Sequence, residues 1–428
     1  MIDPLEDGVE LTKLRNGAQV VSHRMPHLKS ATIGVWIASG SRHETLETHG
    51  ISHLLEHMAF KATMNRSARQ MAEEIEAVGG EINAATSQES TAYVARVLEA
   101  DTGLALELLA DMLNSPRFDA EELERERGVI LQELAGAADQ PEDIVFEAAE
   151  DAAFTNQPLG RPILGTRESV LRLTSGDLRK HLARHYCADR MVICAVGAVR
   201  HDAMVRHAEA LFGGFNSAES TSAEPARFVG GVRVLDKPFE QHHVLMAFEG
   251  PSYFDRDYYP ALVLSGVLGG GTSSRLFQKI REDHGLCYSI ESFGWGYSDT
   301  GIFGVHAATG PELADELVDK VGQECRELAD HGPKPVELAR TRAQIRAGLL
   351  MSLESSGARA EQLARQVSIH GAPVSASILE AKIAAVGEAA VRDTALRLFT
   401  DAKQVWSEVG PGASGANAAR MARRLAGD

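Results

Sequence analysis

Hydrophobic and polar positions along the chain predict strands and helices that occur in the same order in two halves. In the first half, apolar runs and alternating segments predict strands, and apolar residues that recur every three or four positions predict helices. The predicted strands are residues 18–22, 31–38, 81–85, 90–98 and 191–197, and the predicted helices are residues 67–78, 101–113, 120–135, 141–154 and 175–186.

The second half repeats this order after residues 213–224, which are rich in Gly, Ser, Ala and Glu and have the composition of a linker. Residues 175–193 and 387–405 run parallel in sequence, which indicates two diverged copies of one unit. The predicted elements of the second half are a strand at 243–248, a helix at 258–268, strands near 287–295 and 301–308, and then long helices. The predicted boundaries are a first domain at 1–212, a linker at 213–228 and a second domain at 229–428.

One stretch of the first half, residues 50–63, carries a distinctive pattern. Its core reads His53-Leu-Leu-Glu56-His57, and the apolar neighbours together with the lack of proline predict a helix. In a helix, the two histidines and Glu56 share one face, while the leucines project away from it. Two neutral imidazoles one turn apart can hold Zn²⁺, and a carboxylate beside them can take a proton from a water molecule that zinc has made acidic. The order His-x-x-Glu-His is the inverzincin signature.

A zinc site needs a third protein ligand, and the predicted helix at residues 120–135 supplies candidates. Glu126 and Glu133 are seven residues apart, or two helical turns, and therefore share a face. A solvated acidic helix face is the usual alternative for such residues. The short histidine motif can also arise by chance in a chain with 16 His and 60 acidic residues.

These residues, in this order, resemble the pitrilysin or insulinase family of zinc peptidases, and most closely its mitochondrial processing peptidase-like branch. In that branch the third zinc ligand is a Glu about 76 positions after the second motif His, which is the separation of His57 and Glu133 here. The resemblance implies that His53, His57 and Glu133 bind zinc, that Glu56 is the catalytic base, and that Glu126 supports the site without binding metal. It also implies an α+β fold of two homologous domains, each a mainly antiparallel sheet packed with helices.

Two further segments match the pattern of this family. Arg281 and Tyr288, seven residues apart, match a pair that reaches the substrate, and a guanidinium and a phenol can donate hydrogen bonds to peptide carbonyls. The predicted strand with Asn83, Ala84 and Ala85 resembles the substrate-binding edge strand, where small side chains would let a peptide add as a further strand. From the residues alone, a surface arginine, a packed tyrosine and an ordinary edge strand are simpler interpretations.

Composition and charge narrow the range of partners and compartments. The 428-residue chain has 43 basic and 60 acidic residues and a net charge of −17, so neither nucleic acid nor an anionic membrane is expected as a partner, whereas cationic peptides would be attracted. Acidity for solubility alone is an equally good explanation. The four cysteines occur singly, no apolar run approaches 18 residues, and the acidic N-terminus does not resemble a signal peptide. These features predict a protein of the reducing cytoplasm.

We therefore expect a zinc-dependent metalloendopeptidase that hydrolyses unfolded or extended peptides. A non-catalytic core or partner subunit of the same fold is the main alternative, and a zinc-dependent binding module without turnover is another. The resemblance also implies that a zinc-bearing half and an Arg/Tyr-bearing half face each other across a chamber. Because this chain carries both halves, we expect a homodimer. The sequence leaves open whether Arg281 and Tyr288 act within their own chain or across the dimer.

Overall fold

The computed structural model describes residues 6–217 and 223–427, so residues 218–222 of the predicted linker lie outside the described ranges. The strands are β1 (Val9–Lys13), β2 (Gln19–Arg24), β3 (Ser30–Ile37), β4 (Glu81–Thr86), β5 (Thr91–Leu98), β6 (Met191–Gly197), β7 (Gly231–Asp236), β8 (His242–Glu249), β9 (Ser289–Gly296), β10 (Gly301–Thr309) and β11 (Gln404–Gly410). The α-helices are α1 (Ile51–Ala59), α2 (Ala68–Ala77), α3 (Thr102–Asn114), α4 (Ala120–Ala137), α5 (Pro141–Ala153), α6 (Arg167–Arg172), α7 (Ser175–His185), α8 (His201–Phe212), α9 (Tyr258–Gly269), α10 (Ala314–His331), α11 (Pro335–Ser352), α12 (Ser356–His370), α13 (Ala376–Ala385), α14 (Glu388–Leu396) and α15 (Ala416–Ala426).

The first sheet has six strands in the order β1-β2-β6-β3-β5-β4. Only the β2–β6 pair is parallel among these described strands, so the sheet is mainly antiparallel. β3 and β6 lie in the middle and are buried along almost their whole length, because α3 packs on one face of the sheet and α12 on the other. β4 lies at the edge and pairs only with β5 within the described residues.

The second sheet has five strands in the order β7-β11-β8-β10-β9. The β7–β11 pair is parallel and the other pairs are antiparallel, as in the corresponding β2-β6-β3-β5-β4 part of the first sheet. α9 follows β8 as α1 follows β3. The repeated strand order and strand directions confirm the predicted α+β fold of two homologous, mainly antiparallel units.

The chain forms two compact units, but these do not follow the linear boundaries 1–212 and 229–428. The first unit consists of residues 1–135, 161–224 and 350–376, and the second of residues 136–160, 225–349 and 377–428. The second unit therefore includes α5 from the first half of the sequence, and the first unit includes α12 from the second half.

Apolar packing explains these two assignments. On α5, Val145 and Ala149 are buried in one hydrophobic cluster with Leu245 and Val405 of the second sheet. On α12, Leu363 and the residues around it are buried in a cluster with the outer face of the first sheet. Each helix thus covers a sheet face that would otherwise expose apolar surface to water. None of the helices in the described ranges is long and apolar enough to span a membrane.

Candidate metal centre

Helix α1 presents the histidine motif because its opposite face is anchored in the core. Leu54, Leu55 and Met58 are almost completely buried, whereas His53 and His57 are partly exposed. The structure therefore confirms that α1 has an apolar face and a polar face, as predicted.

Glu44, a residue that the sequence analysis did not identify, stabilises the start of α1. Gly50 adopts a φ of 88°, which favours glycine, and it has no side chain to cap the helix. The buried carboxylate of Glu44 instead accepts hydrogen bonds from the backbone N–H groups of Gly50 and Ser52, each at 2.8 Å. Burial raises the pKa of Glu44 to about 7, although these hydrogen bonds lower it.

Three potential metal ligands come together between α1 and α4. Glu133 Oε2 lies 3.7 Å from His53 Nε2 and 3.6 Å from His57 Nε2. One ligand atom from each of the three residues lies within 4.8 Å of the others. Two imidazoles and one carboxylate are the donor set of a catalytic zinc site that keeps an open position, so these residues fit the ion that the motif implies.

Glu126 lies on the other side of His57. Its Oε2 is 3.1 Å from His57 Nδ1 and its Oε1 is 2.6 Å from Lys61 Nζ. When His57 Nδ1–H donates to this carboxylate, the Nε2 lone pair is directed towards Glu133, where a metal would bind. The structure thus places Glu126 beside a ligand rather than among the ligand atoms.

His53 is held in the neutral form that metal ions require. Burial is the main cause that lowers the pKa of His53 to about 4, and electrostatic repulsion from the neighbouring His57 adds to the shift. Its Nδ1 is buried and has no hydrogen-bond partner in the described part of the chain. A neutral His53 at pH 7 offers Nε2 to a metal without first losing a proton.

Glu56 shares the exposed face of α1 but contacts β4. The hydroxyl of Thr86, the last residue of β4, donates a hydrogen bond of 2.5 Å to Glu56 Oε2. Burial raises the pKa of Glu56 above its ordinary value, and the contacts with Thr86 and His57 oppose that shift. Thr86 is a further site residue that the sequence analysis missed, and its only signal is its position one strand period after Ala84.

Asn83, Ala84 and Ala85 lie on the edge strand β4, as predicted for a peptide-binding strand. Ala84 is half-buried against the core, whereas Asn83 and Ala85 are exposed. Within the described residues, the outer edge of β4 pairs with no further strand, and the Ala84 N–H donates to Asn83 Oδ1 at 2.9 Å. The strand ends at Thr86, the residue that contacts Glu56.

Arg281 and Tyr288 lie in the second unit and contact each other. Arg281 belongs to a π-helical segment, Phe277–Asp283, and its guanidinium carbon lies 5.1 Å from the centre of the Tyr288 ring. The Tyr288 side chain is 75% exposed, so it is not the packed core tyrosine of the simpler interpretation.

Comparisons with known proteins identify the family and support the fold. The family model described as Insulinase (Peptidase family M16) matches residues 19–167, and the model described as Peptidase M16 inactive domain matches residues 172–345. An uncharacterized zinc protease of Rickettsia bellii is 36% identical over 92% of this chain and 96% of its own length. A probable mitochondrial-processing peptidase subunit beta of Arabidopsis thaliana is 36% identical over 94% of this chain and 78% of its own length.

A solved structure shows the same fold. The crystal structure of a protease from Helicobacter pylori has a TM-score of 0.88 to this chain and 22% sequence identity, and the match covers 94% of this chain and 99% of that one. The family models and the relatives cover most of the sequence, including the histidine motif. The chain therefore belongs to the insulinase family of peptidases, M16.

Proposed function

We propose that this protein is a zinc-dependent metalloendopeptidase that cleaves unfolded or extended peptides. The observation that carries the proposal is the convergence of His53, His57 and Glu133 beside the carboxylate of Glu56. Relatives described as zinc proteases support the same assignment.

The residues of the first unit have complementary roles in this reaction. When bound, zinc supplies a Lewis acid that polarises a carbonyl and lowers the pKa of water. Glu56 takes a proton from the attacking water molecule and returns it to the leaving amine nitrogen. Its raised pKa makes Glu56 a better proton acceptor than an ordinary carboxylate, and the hydrogen bond from Thr86 orients this carboxylate. Glu126 orients His57 through the hydrogen bond to Nδ1.

The substrate is proposed to bind as an added strand on β4. Pairing at Asn83, Ala84 and Ala85 would use backbone groups of the peptide and so tolerate varied side chains. Arg281 and Tyr288 would donate to peptide carbonyls and to the developing oxyanion. A homodimeric state and a cytoplasmic location are proposed from the sequence analysis.

A non-catalytic core subunit of the same fold is the second candidate. The description of residues 172–345 as an inactive domain favours it. However, the segment so described contains none of the proposed zinc ligands and does not include Glu56. The complete ligand set in residues 51–133 is unexpected for a subunit without activity, so the peptidase is preferred.

Cleavage of a quenched, unstructured peptide with and without a chelator tests the proposal. We expect Glu56→Gln to keep stoichiometric zinc and to lose nearly all turnover, because the change removes the base and leaves the ligands. His57→Ala should lose the metal as well. Glu76→Gln, an exposed change on α2, is the matched control and should leave both properties unchanged. Wild-type turnover by Glu56→Gln would show that the assigned base is wrong.

A further inference from the structure

A second group of metal-binding side chains lies in the second unit, away from the histidine motif. His306 on β10 and Glu291 on β9 are directly paired across the two strands, and Glu142 lies in the first turn of α5. One ligand atom from each residue lies within 4.8 Å of the others. Strand pairing places Glu291 beside His306, and the packing of α5 in this unit brings in Glu142, which is distant in sequence.

The histidine of this group is buried and held in place by a second histidine. The His306 side chain is only 3% exposed, and its Nε2 lies 3.2 Å from Nδ1 of His243 on β8. In the tautomer in which His306 Nε2–H donates to His243 Nδ1, the lone pair of His306 Nδ1 is free to bind a cation.

This second nitrogen is directed towards carboxylates. His306 Nδ1 lies 3.9 Å from Glu291 Oε1, and the interaction with His306 lowers the pKa of the Glu291 carboxyl. Glu142 and Glu291 are exposed, so their carboxylates can adjust around an ion that enters from solvent. A buried imidazole fixed from behind, with two adjustable carboxylates in front, is a common construction of transition-metal sites.

Aromatic side chains form the apolar surroundings. Phe146, one helical turn after Glu142 on α5, lies with its ring centre 5.2 Å from that of His306 and 5.3 Å from that of Trp295. Phe293 packs against both Phe146 and Trp295. These rings limit access of water to the histidine side of the group and leave the carboxylate side open.

We propose that His306, Glu291 and Glu142 form a second binding site for a divalent transition-metal ion of the zinc class, with His243 orienting His306. The imidazole ligand favours such an ion over Ca²⁺ and Mg²⁺, which prefer sites built from oxygen ligands alone. The bound ion connects the first turn of α5 to β9 and β10 through its three ligands. Its expected effect is therefore on the stability of the second unit and not on the chemistry at Glu56.

Zinc titration in a protein that lacks the first site tests this proposal. The variant His53→Ala/His57→Ala removes two of the three ligands of the motif, and we expect it to bind about one equivalent of Zn²⁺ and to unfold at a higher urea concentration with zinc than without it. Adding Glu142→Gln and Glu291→Gln should weaken zinc binding at least tenfold and remove this shift. The carboxylate changes carry the test because replacement of the buried His306 can disturb folding by itself.

A matched control separates a built site from general attraction to an acidic surface. Glu249→Gln/Glu388→Gln changes one exposed strand residue and one first-turn helix residue of the same unit, with the same change in charge. In the His53→Ala/His57→Ala background, this control should keep full zinc affinity. The proposal is overturned if the background variant binds no zinc, or if the control and the Glu142/Glu291 variant bind zinc equally well. In either case the three residues do not form a metal site.

Discussion

At the scale of single residues, the hydrogen bond between Glu126 and His57 has a measurable consequence. Glu126→Ala removes the partner of His57 Nδ1 and leaves Lys61 without its buried carboxylate. We expect zinc affinity, measured by competition with a chromophoric chelator, to fall about 10- to 100-fold. The control Glu107→Ala changes an exposed helix residue and should have no effect. Unchanged affinity in Glu126→Ala would show that His57 is oriented without Glu126.

Glu44 predicts a dependence of stability on pH. Its pKa is raised in the folded protein from 4.5 to about 7, so the folded state keeps a proton that the unfolded state has released across this interval. The free energy of unfolding should therefore fall as the pH rises from about 4.5 to about 7, by up to ~1.4 kcal/mol per pH unit from this group, and no further above that range.

The variant Glu44→Gln isolates this contribution, because glutamine does not titrate. We expect urea unfolding of the wild type to lose stability relative to Glu44→Gln across the same interval. Glutamine offers only one acceptor oxygen to the N–H groups of Gly50 and Ser52, so the two proteins will differ in absolute stability, and the test compares only how each stability changes with pH. Parallel pH profiles for the two proteins would contradict the prediction.

Sequence spacing identifies the site residues that lie on helices, but it does not identify the residues that form hydrogen bonds to them from loops and strand ends. His53, His57 and Glu133 were grouped from helical periodicity and a resemblance, and the structure brings their ligand atoms within 4.8 Å. Thr86 and Glu44 form their contacts from a strand end and a loop, where no periodicity indicates which side chain will meet α1. The same is true of His306 and Glu142, which meet only through tertiary packing.

At the scale of secondary-structure elements, the free edge of β4 predicts how a peptide is recognised. An added strand uses the backbone N–H of every second residue, so N-methylation of the substrate should impair cleavage strongly at alternate positions and weakly at those between. Rates measured for a series of singly methylated peptides test this. A stable, disulfide-locked domain should resist cleavage because its backbone is already paired. An effect independent of position, or rapid cleavage inside such a domain, would exclude strand addition.

The helices α5 and α12 show the limit of sequence patterns at this scale. The prediction of a helix at residues 141–154 is confirmed by α5, because apolar residues recur with helical spacing. That spacing shows that one face must be buried, but it does not identify the sheet that buries it. Boundaries drawn along the chain therefore assigned both helices to the half in which they occur, whereas their apolar faces pack in the other unit.

At the scale of the whole molecule, α12 should determine the stability of the first unit. Leu363 is fully buried against the first sheet, so Leu363→Ala is expected to cost about 2–5 kcal/mol. Trp36 packs in the same cluster, and a Trp295→Phe/Trp406→Phe background leaves it as the only tryptophan. Urea unfolding followed by Trp36 fluorescence should then shift to lower urea concentration.

A buried leucine of the second unit provides the control for this experiment. Leu425 on α15 is equally buried and also lies beyond residue 229, so linear boundaries place it in the same domain as Leu363. In the same background, Leu425→Ala should shift the Trp36 transition less than Leu363→Ala does. An equal or larger shift for Leu425→Ala would show that α12 is not specifically required by the first unit.

Mixing two inactive proteins tests whether the proposed substrate-contacting pair, Arg281 and Tyr288, acts within its own chain or across a dimer. The proposed zinc ligands and Glu56 belong to the first unit, whereas Arg281 and Tyr288 contact each other in the second. In a two-fold homodimer with sites shared across chains, each site takes one set from each protomer. We expect Glu56→Gln and Arg281→Ala/Tyr288→Phe proteins to be almost inactive separately and to regain activity in roughly a quarter of sites after subunit exchange, because half of the dimers are mixed and each has one intact site.

Peptide cleavage before and after exchange measures this recovery, with exchange itself followed by mass-tagged protomers. Mixing Glu56→Gln with His57→Ala is the control, since both lesions affect the same set of residues and every site in a mixed dimer keeps one of them. Recovery in the first mixture but not in the control requires a site completed by the second chain. If exchange is demonstrated and neither mixture recovers, Arg281 and Tyr288 act within their own chain or not at all. That result would leave the assignment of His53, His57 and Glu133 unchanged, because those three residues lie within one unit of a single chain.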